Sequence, residues 1–444
     1  MMVFSSDEPK FPTKKLFEKT THLMHDGLNA RAFGEFPKPE ALGDARWTDD
    51  LILATWFMAE TGEVPENFNY MTGKSGGGFD RLRFKFLAEE QWLEHGEHLD
   101  TRLDLNRRDD GRQQLTPDLP IYGGGMSYGS VSLNVMLSRA RNSVKWNTYM
   151  STGEGGYPEE LYQYKENIIT QVATGYFGVE ERSIKASPII EFKYAQGAKP
   201  GLGGHLLAAK SGGDVAKLRG SVPFVSLFSP FPFHSTYSVE DHMKHIDWVQ
   251  TINPEALIAV KVSTPKDVDM VAVGSYYAGA HIIHLDGSYG GTGAAPEIAK
   301  KNIAMPIELA VPKVHKFLIK EGVRENVTLI ASGGVRTADD VAKVIALGAD
   351  GVVFGTSDLV AMGCTRCANC EGGPSGRGCP WGLTTTDVEL QEWLQPDWAE
   401  KRLDNYYIAV QWRLRDIMRK LGLTHISELR GRTDLLRYVS GDES

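Results

Sequence analysis

Short apolar runs recur along the middle of the chain, and nearly every run is followed by glycine or a small polar residue. Eight of them lie between about residues 119 and 361. They read LPIYGGGMS, WNTYMSTGEGG, PIIEFKYAQGAKPG, FVSLFSP, ALIAVKVS, AHIIHLDGS, VTLIASGG and GVVFGTSD. Short apolar runs bounded by turn residues are typical of buried strands, so we predict eight strands.

Amphipathic patterns of helical period separate these runs, for example VSLNVMLSRARNSV, YSVEDHMKHIDWVQTI and TADDVAKVIALG. Apolar strands that alternate with helices indicate a parallel sheet covered on both faces. Eight such units in roughly 240 residues favour a closed (β/α)8 TIM barrel, an α/β fold. A doubly wound open sheet is the alternative, but the G-x-G-x-x-G turn that follows the first strand of dinucleotide-binding sheets is missing.

The barrel is predicted to occupy residues 116–363. Residues 1–115 form a mixed, mainly helical extension that includes the amphipathic pattern WTDDLILATWFMAETGEV, and we interpret it as a decorating or oligomerising segment. A cysteine-rich loop follows the barrel at residues 364–383. Residues 384–444 form a helical C-terminal segment that Pro396 interrupts.

Composition places the chain among ordinary folded proteins. It has 444 residues, of which 41% are hydrophobic and 24% are charged. The 57 acidic residues outnumber the 48 Lys and Arg residues and give a formal charge of −9, which disfavours nucleic acid or an anionic membrane as the partner. No apolar run approaches the ~18 residues of a membrane span, and the first residues contain no apolar signal-peptide core. We therefore expect a cytoplasmic protein.

The last two predicted strands carry a signal for anion binding. Gly333 and Gly334 follow the seventh strand, and Gly355 and Thr356 follow the eighth. The loops after strands seven and eight are the usual phosphate site of a TIM barrel, where backbone N–H groups and a helix N-terminus face the anion. The alternative is that Gly-Gly makes a tight turn without a ligand.

Polar residues also interrupt other strand ends. Lys261 lies between Val260 and Val262, and a buried unpaired ammonium is costly, so we expect an anionic partner such as a flavin oxygen or a carboxylate. Extension of the side chain toward the strand end is the alternative. Glycine-rich loops supply further candidates, each weak by itself: Glu154, Lys193, Gln196, Lys199 and Thr292.

The four cysteines form the most specific single motif. Cys364, Cys367, Cys370 and Cys379 have the spacing C-x2-C-x2-C-x8-C-P. Three cysteines at two-residue spacing with a distant Cys-Pro match the ferredoxin style of iron–sulfur ligation. A structural zinc site with four cysteine ligands is the alternative, although zinc sites usually group cysteines in two separated pairs.

In combination, the segments from about residue 119 to 383 resemble the flavin domain of glutamate synthases. The resemblance includes GGGMSYGSVS, STGEGG, EFKYAQGAKPGLGGHL, VAKLRG, SPFPFHSTYSVEDH, YGGTGAAP, SGGVRTADDV and FGTSDLVAMGC. It implies a TIM barrel that holds FMN with an iron–sulfur cluster beside it. In that family, hydride from the reduced flavin converts 2-iminoglutarate to L-glutamate.

The resemblance also implies roles for individual residues. The expected flavin contacts are Met126, Ser127, Tyr128, Lys193, Lys261, Ser332, Gly333, Gly334, Gly355 and Thr356. The expected catalytic and substrate-binding residues are Glu154, Lys193, Gln196, Lys199 and Lys261. Among them, Lys193 and Lys199 are the expected anchors for the substrate carboxylates.

Departures from the family pattern change the expected assembly. The family's glutaminase uses an N-terminal cysteine, but no cysteine precedes Cys364. We therefore expect a separate class II glutamine-amidotransferase-like subunit and a separate β-helix subunit. The family's [3Fe–4S] cluster uses three cysteines, which match Cys364, Cys370 and Cys379. The additional Cys367 favours a [4Fe–4S] cluster, with [3Fe–4S] as the alternative.

Two further departures concern the substrate. Tyr157 follows GEGG where the family has glutamate, and SYGGTG replaces HDGGTG. A separate flavin chain of this kind resembles that of the N-methylglutamate synthases, which convert glutamate and methylamine to N-methylglutamate and ammonia. The catalytic subunit of a split glutamate synthase is the alternative enzyme. A non-catalytic barrel that binds a phosphate ligand and zinc is the alternative from another class.

Overall fold

The computed structural model describes residues 43–44, 46–65, 78–96, 98–200, 203–230, 233–292, 295, 297–367, 370 and 377–439. Eight parallel strands pair in chain order and close into a barrel, which confirms the predicted TIM-barrel fold. The strands are β1 (Ile121–Gly123), β2 (Met150–Ser151), β3 (Ile168–Ala173), β4 (Ile189–Lys193), β5 (Leu257–Ser263), β6 (Ile282–Asp286), β7 (Thr328–Ser332) and β8 (Gly351–Phe354).

Helices surround the barrel, and further helices precede and follow it in the sequence. They are α1 (Asp49–Thr61), α2 (Leu133–Lys145), α3 (Glu181–Ala186), α4 (Gly213–Arg219), α5 (Val239–Ile252), α6 (Val268–Ala278), α7 (Glu297–Asn302), α8 (Ile307–Lys320), α9 (Ala338–Leu347), α10 (Thr356–Ala361), α11 (Val388–Gln391) and α12 (Pro396–Leu421). Pro396 begins α12, where its missing N–H costs no helical hydrogen bond. In the part of the chain described, no helix combines the length and the apolarity needed to cross a bilayer.

Parts of all four predicted segments lie outside the described residues. They are residues 1–42, 45, 66–77 and 97 of the predicted N-terminal extension, 201–202, 231–232, 293–294 and 296 of the barrel, 368–369 and 371–376 of the cysteine loop, and 440–444 of the C-terminal segment.

The third strand of the barrel differs from the prediction. FVSLFSP forms no strand, and its pairing is a single bridge between Leu206 and Leu227. Phe224 and Phe228 are each 69% exposed, so the run is not buried. The third strand is Ile168–Ala173, whose six residues are all buried. Its interior Thr and Gln interrupt the apolar pattern, which is why the pattern alone missed it.

Inward-facing side chains change character along the barrel axis. At the amino ends of the strands they are apolar and pack into one buried cluster that includes Ile189, Leu257 and Ile282. Alternation places charged and polar residues at the carboxyl ends of the same strands, where Lys193 pairs in register with Lys261. The sequence of each strand therefore closes the barrel at one end and builds a polar site at the other.

A hairpin from the extension completes the apolar end. The Leu103 N–H donates to the Pro117 carbonyl at 3.0 Å, and the Leu105 N–H donates to the Leu115 carbonyl at 3.0 Å. These three leucines are buried in the same cluster as the amino ends of the strands. Residues 103–117 thus plug the bottom of the barrel.

Helices α1 and α12 together hold the segment that follows β8. The Trp56 indole N–H donates to the Val360 carbonyl at 2.8 Å, and Arg402 Nε donates to the Ala361 carbonyl at 2.7 Å. Arg402 also pairs with Glu60 at 2.8 Å, which joins α12 to α1. Parts of the chain that are distant in sequence therefore fix α10 at the end of the barrel where the site lies.

We expect Leu105→Ala to lower the free energy of unfolding by about 2–5 kcal/mol, because it opens a cavity in the plug of the barrel. Chemical denaturation of the purified protein measures this change. Leu309→Ala is the matched control, because Leu309 is 59% exposed and its loss costs less than about 0.5 kcal/mol. Equal unfolding energies for the two variants would contradict the role of the hairpin.

Candidate active site

One cavity opens at the carboxyl ends of the strands. Its volume is about 260 Å³, whereas the other cavities described measure about 10 to 20 Å³, the space of a single water molecule. Its described lining contains five cationic side chains and two carboxylates. The cations are Lys193, Lys199, Lys210, Arg219 and Lys261, and the carboxylates are Glu154 and Asp286. This excess of positive charge suits an anionic ligand.

Glycine turns form one wall of the cavity. Gly333 and Gly334 follow β7 with φ of 104° and 83°, a region that favours glycine, and both line the cavity. Gly355 and Thr356 follow β8 and lie on the same wall. A Cβ on Gly333 would approach the Gly287 carbonyl oxygen to 2.5 Å, so the turn tolerates no side chain there. The four residues predicted to bind phosphate thus lie together on one wall of the cavity.

Lys261 and Asp286 form one ion pair on the floor of the cavity. Lys261 Nζ lies 3.4 Å from Asp286 Oδ2, which also accepts a 2.9 Å hydrogen bond from the Gly197 N–H. Burial opposes both charges, but Asp286 and Glu191 raise the pKa of Lys261, and Lys261 and His284 lower the pKa of Asp286. Both groups are therefore charged at neutral pH. The anionic partner expected for Lys261 is a carboxylate, and the side chain stays inside the barrel.

Lys193 and Glu154 form a second ion pair on the same floor. Lys193 Nζ lies 3.4 Å from Glu154 Oε2, and the Ser229 hydroxyl lies at the same distance from that oxygen. Gly204 packs against the carboxylate so closely that a Cβ there would lie 1.1 Å from Glu154 Oε1. The two glycine-rich segments, which contain Glu154 and Gly204, thus hold the Glu154 carboxylate between the Lys193 ammonium and the cavity.

Arg219 is a cavity residue that the sequence reasoning missed. Its guanidinium is 3% exposed and donates from Nη2 to Ser127 Oγ at 3.0 Å and to the Tyr128 carbonyl at 3.2 Å. Nε and Nη1 are buried without a hydrogen-bond partner among the described residues. Burial lowers the pKa of Arg219, and the Glu154 carboxylate opposes this. Arg219 lines the cavity, and a buried guanidinium there is suited to a carboxylate ligand.

The remaining predicted residues divide into two groups. Met126, Ser127, Gln196, Lys199 and Thr292 line the cavity together with the residues above. The Tyr128 ring does not line it and packs instead against the buried cluster of Leu206, Val215 and Leu227. Asp286 and Arg219 had no place in the prediction. Asp286 ends an apolar strand, so the argument used for Lys261, a charged residue in an apolar strand, could have found it. Arg219 ends a helix, where a charged residue is ordinary and does not indicate a site.

The cysteine loop forms another wall of the cavity. Lys210 Nζ donates to the Cys370 carbonyl at 2.7 Å and to the Thr384 carbonyl at 3.1 Å, and all three residues line the cavity. Burial raises the pKa of the Cys364 and Cys379 thiols. A buried lysine therefore connects the loop to the site, and the loop places cysteine backbone beside the ligand space.

The four cysteines range from the buried Cys379 to the exposed Cys367. Within the described residues, no three side chains of His, Cys, Asp or Glu are arranged to hold one metal ion.

The cavity does fit FMN, the cofactor that the sequence resemblance implies. The Gly333–Gly334 turn and the Gly355–Thr356 segment offer backbone donors for its phosphate. Lys261 and Lys193 lie at strand ends on the floor, where a buried cation suits the polar edge of the ring system. Arg219 and Lys199 line the same cavity.

Comparison with known sequences places these residues in a family. The family described as a conserved region in glutamate synthase matches residues 88–424. An archaeal-type glutamate synthase (NADPH) from Thermotoga maritima is 39% identical over 327 residues, which cover 73% of this chain and 64% of that protein. One from Dehalococcoides mccartyi is 36% identical over 420 residues, which cover 89% of this chain and 82% of that protein. The chain thus spans less than two thirds of the Thermotoga relative.

Solved structures support the fold. Two flavocytochrome b2 variants, one with pyruvate bound and one with benzoylformate, are similar to this chain with a TM-score of 0.52. Each is 15% identical, and the match covers 96% of this chain and 91% of theirs. At this identity the likeness shows the TIM-barrel fold alone.

We expect Gly333→Ala to weaken FMN binding roughly tenfold to hundredfold, because a Cβ there displaces the turn at a strain of about 1–3 kcal/mol. The FMN released by denaturation, measured by absorbance after reconstitution, reports the loss. Gly322→Ala is the matched control, since Gly322 also has a left-handed φ of 74° but has open space around it. Equal FMN retention in both variants would show that the turn does not hold the cofactor.

Proposed function

The chain belongs to the glutamate synthase family, and from that premise we propose that it is the flavin-dependent catalytic subunit of an N-methylglutamate synthase. The overall reaction converts L-glutamate and methylamine to N-methyl-L-glutamate and ammonia through an imine of 2-oxoglutarate. FMN bound on the glycine turns would supply reversible hydride acceptance. The cycle is redox-neutral, so the site needs no outside reductant.

The observation that carries the proposal is the cavity itself. It combines a glycine-lined phosphate wall, buried lysines at two strand ends and a guanidinium with two unpartnered N–H groups. This set matches a phosphorylated cofactor beside a dicarboxylic amino acid. Arg219 and Lys199 would hold the carboxylates, and Gln196, whose amide donates to the Gly203 carbonyl at 3.1 Å, would orient the backbone around them.

Glu154 is the residue best placed to face the amino group of the substrate. Its carboxylate lies near Arg219 and 3.4 Å from Lys193 Nζ in a mostly cationic cavity. The ammonium group of the substrate would donate a hydrogen bond to a carboxylate oxygen of Glu154. That oxygen would accept a proton from the ammonium group when the amine becomes an imine.

The preference for methylamine over ammonia is supported by a departure from the family pattern. In SYGGTG, Tyr289 stands where the family has aspartate, and it lines the cavity with a left-handed φ of 67°. The Arg46 guanidinium stacks on its ring at 3.6 Å. A change from a carboxylate to an aromatic ring in the cavity wall supports a more apolar amine substrate than ammonia.

The proposed assembly has further parts. The four cysteines are proposed to hold a [4Fe–4S] cluster on the strength of their spacing, with [3Fe–4S] as the alternative. A class II glutamine-amidotransferase-like subunit and a β-helix subunit are proposed as partners. Iron and acid-labile sulfide analysis of anaerobically purified protein, and identification of the chains that co-purify, test these parts separately from the reaction.

The second candidate is the catalytic subunit of a split glutamate synthase, which the names of the related proteins favour. The purified complex, supplied without air with L-glutamate and methylamine labelled with carbon-13, decides between the two. We expect labelled N-methylglutamate without any added reductant. Turnover only with 2-oxoglutarate, glutamine and a reductant would overturn the transferase proposal and favour the second candidate.

We expect Arg219→Met to raise the KM for glutamate about 10- to 150-fold, because a hydrogen bond to a charged group is worth about 1.5–3 kcal/mol. Steady-state kinetics of the complex measures the change, with FMN content as a check on folding. Arg182→Met is the matched control, because Arg182 pairs with Glu159 on the surface. An unchanged KM in Arg219→Met would remove this residue from the substrate site.

A further inference from the structure

A continuous chain of hydrogen bonds runs from the floor of the cavity into the closed interior of the barrel. Asp286 Oδ1 accepts from the Ser332 hydroxyl at 2.6 Å, and Ser332 Oγ lies 2.8 Å from His284 Nε2. On the other side of the ring, His284 Nδ1 lies 3.0 Å from Glu191 Oε2. Asp286 and Ser332 line the cavity, whereas His284 and Glu191 are each 1% exposed and lie below it.

The direction of these hydrogen bonds determines how many protons the His284 ring carries. The single Ser332 hydroxyl proton points to Asp286, so His284 Nε2 must donate to Ser332. An ionised Glu191 only accepts, so His284 Nδ1 must donate as well. The imidazole then carries both protons and is charged. With a neutral imidazole and both acids ionised, one pair of acceptors would face each other at hydrogen-bond distance in a buried site, which is costly.

The same proton has two other places in the chain. Asp286 can hold it if the Ser332 hydroxyl turns toward a neutral His284 Nε2, and Glu191 can hold it if Nδ1 becomes an acceptor. When Asp286 and Glu191 are both ionised, the hydrogen bonds place this proton on His284. Each arrangement satisfies every hydrogen bond, and they differ only in where the proton is.

Charges on the surrounding strands keep the chain balanced. Lys261 on β5 pairs with Asp286, Lys193 on β4 pairs with Glu154, and the Gln171 amide on β3 donates to Glu191 Oε1 at 2.5 Å. Burial favours the neutral acid, but His284 and Lys261 lower the pKa of Glu191. Tyr122 on β1 faces the His284 ring at 6.2 Å, and burial and Glu191 raise its pKa, so it stays neutral.

We propose that Asp286, Ser332, His284 and Glu191 form a proton relay that stores one proton beneath the substrate and delivers it to the cavity. In delivery, the Nε2 proton moves to Ser332 Oγ while the hydroxyl proton moves to Asp286 Oδ1. Neutral His284 and protonated Asp286 result, and no electron moves. The reverse steps return the proton. The use of that proton in amine–imine exchange rests on the proposed function, whereas the relay itself rests on the hydrogen bonds.

The charge state of His284 tests the relay without any activity. Nitrogen-15 NMR of the histidine rings in the full-length protein shows whether one or both ring nitrogens carry hydrogen, and His284→Gln identifies the signal. We expect both nitrogens to be protonated at pH 7. We also expect the midpoint of the titration to fall by at least one pH unit in Ser332→Ala and to stay unchanged in Ser332→Thr, which keeps the hydroxyl.

A neutral His284 at pH 7 would overturn the relay. The same titration midpoint of His284 in the unaltered protein, Ser332→Ala and Ser332→Thr would also overturn it. The FMN-loaded complex gives a second measurement. Its pH profile with glutamate should shift in Ser332→Ala and return in Ser332→Thr, with the same FMN content in both variants. A profile unaffected by Ser332→Ala would also overturn the relay. Failure of glutamate to react at all would count against the proposed function, and the NMR result would still decide the relay.

Discussion

The site depends on the cost of burying two lysine ammonium groups inside a barrel. Lys193 and Lys261 occupy inward positions at the same level of neighbouring strands, and each is 7% exposed. An unpaired ammonium in this position would lose its charge, so each lysine requires a carboxylate close by. Glu154 and Asp286 meet that need. Two strand-end lysines thereby determine the positions of two acids that line the same cavity.

The pairing also explains how the cavity remains attractive to anions. Each lysine is paired with one acid, and Arg219, Lys199 and Lys210 also line the cavity, so its described lining has five cationic side chains and two carboxylates. The glycine turns after β7 and β8 add backbone donors to the same lining. The cavity therefore combines backbone donors with an excess of cationic side chains, which suits an anionic ligand.

Local pattern predicted the parts of this arrangement that depend on local physics. Buried strands followed by glycine identified seven of the eight strands, and a lysine between two valines indicated a charge inside the barrel. The third strand was missed because Thr170 and Gln171 break its apolar run, although both are buried in the barrel. Polar residues in that position are explained by the Gln171–Glu191 hydrogen bond, which only the closed barrel brings together.

Other features depend on contacts between distant segments and had no local signal. Arg219 ends a helix, and its hydrogen bond to Ser127 joins that helix to the loop after the first strand. The hairpin at residues 103–117 is mostly polar in sequence and has only three leucines, yet these three leucines close the barrel. Tyr128 follows two cavity residues in sequence, but its ring turns into the apolar cluster of Leu206, Val215 and Leu227. Motif similarity assigned it to the flavin because a motif carries no side-chain direction.

The central claim is that the charged end of this barrel holds FMN beside an amino acid substrate. The most direct measurement is the visible spectrum of the FMN-reconstituted protein without air, before and after L-glutamate is added. The account predicts one FMN per chain, released on denaturation, and loss of the oxidised flavin absorbance when glutamate is added to the intact protein. A protein that binds no FMN, or one whose flavin spectrum glutamate leaves unchanged, would contradict it.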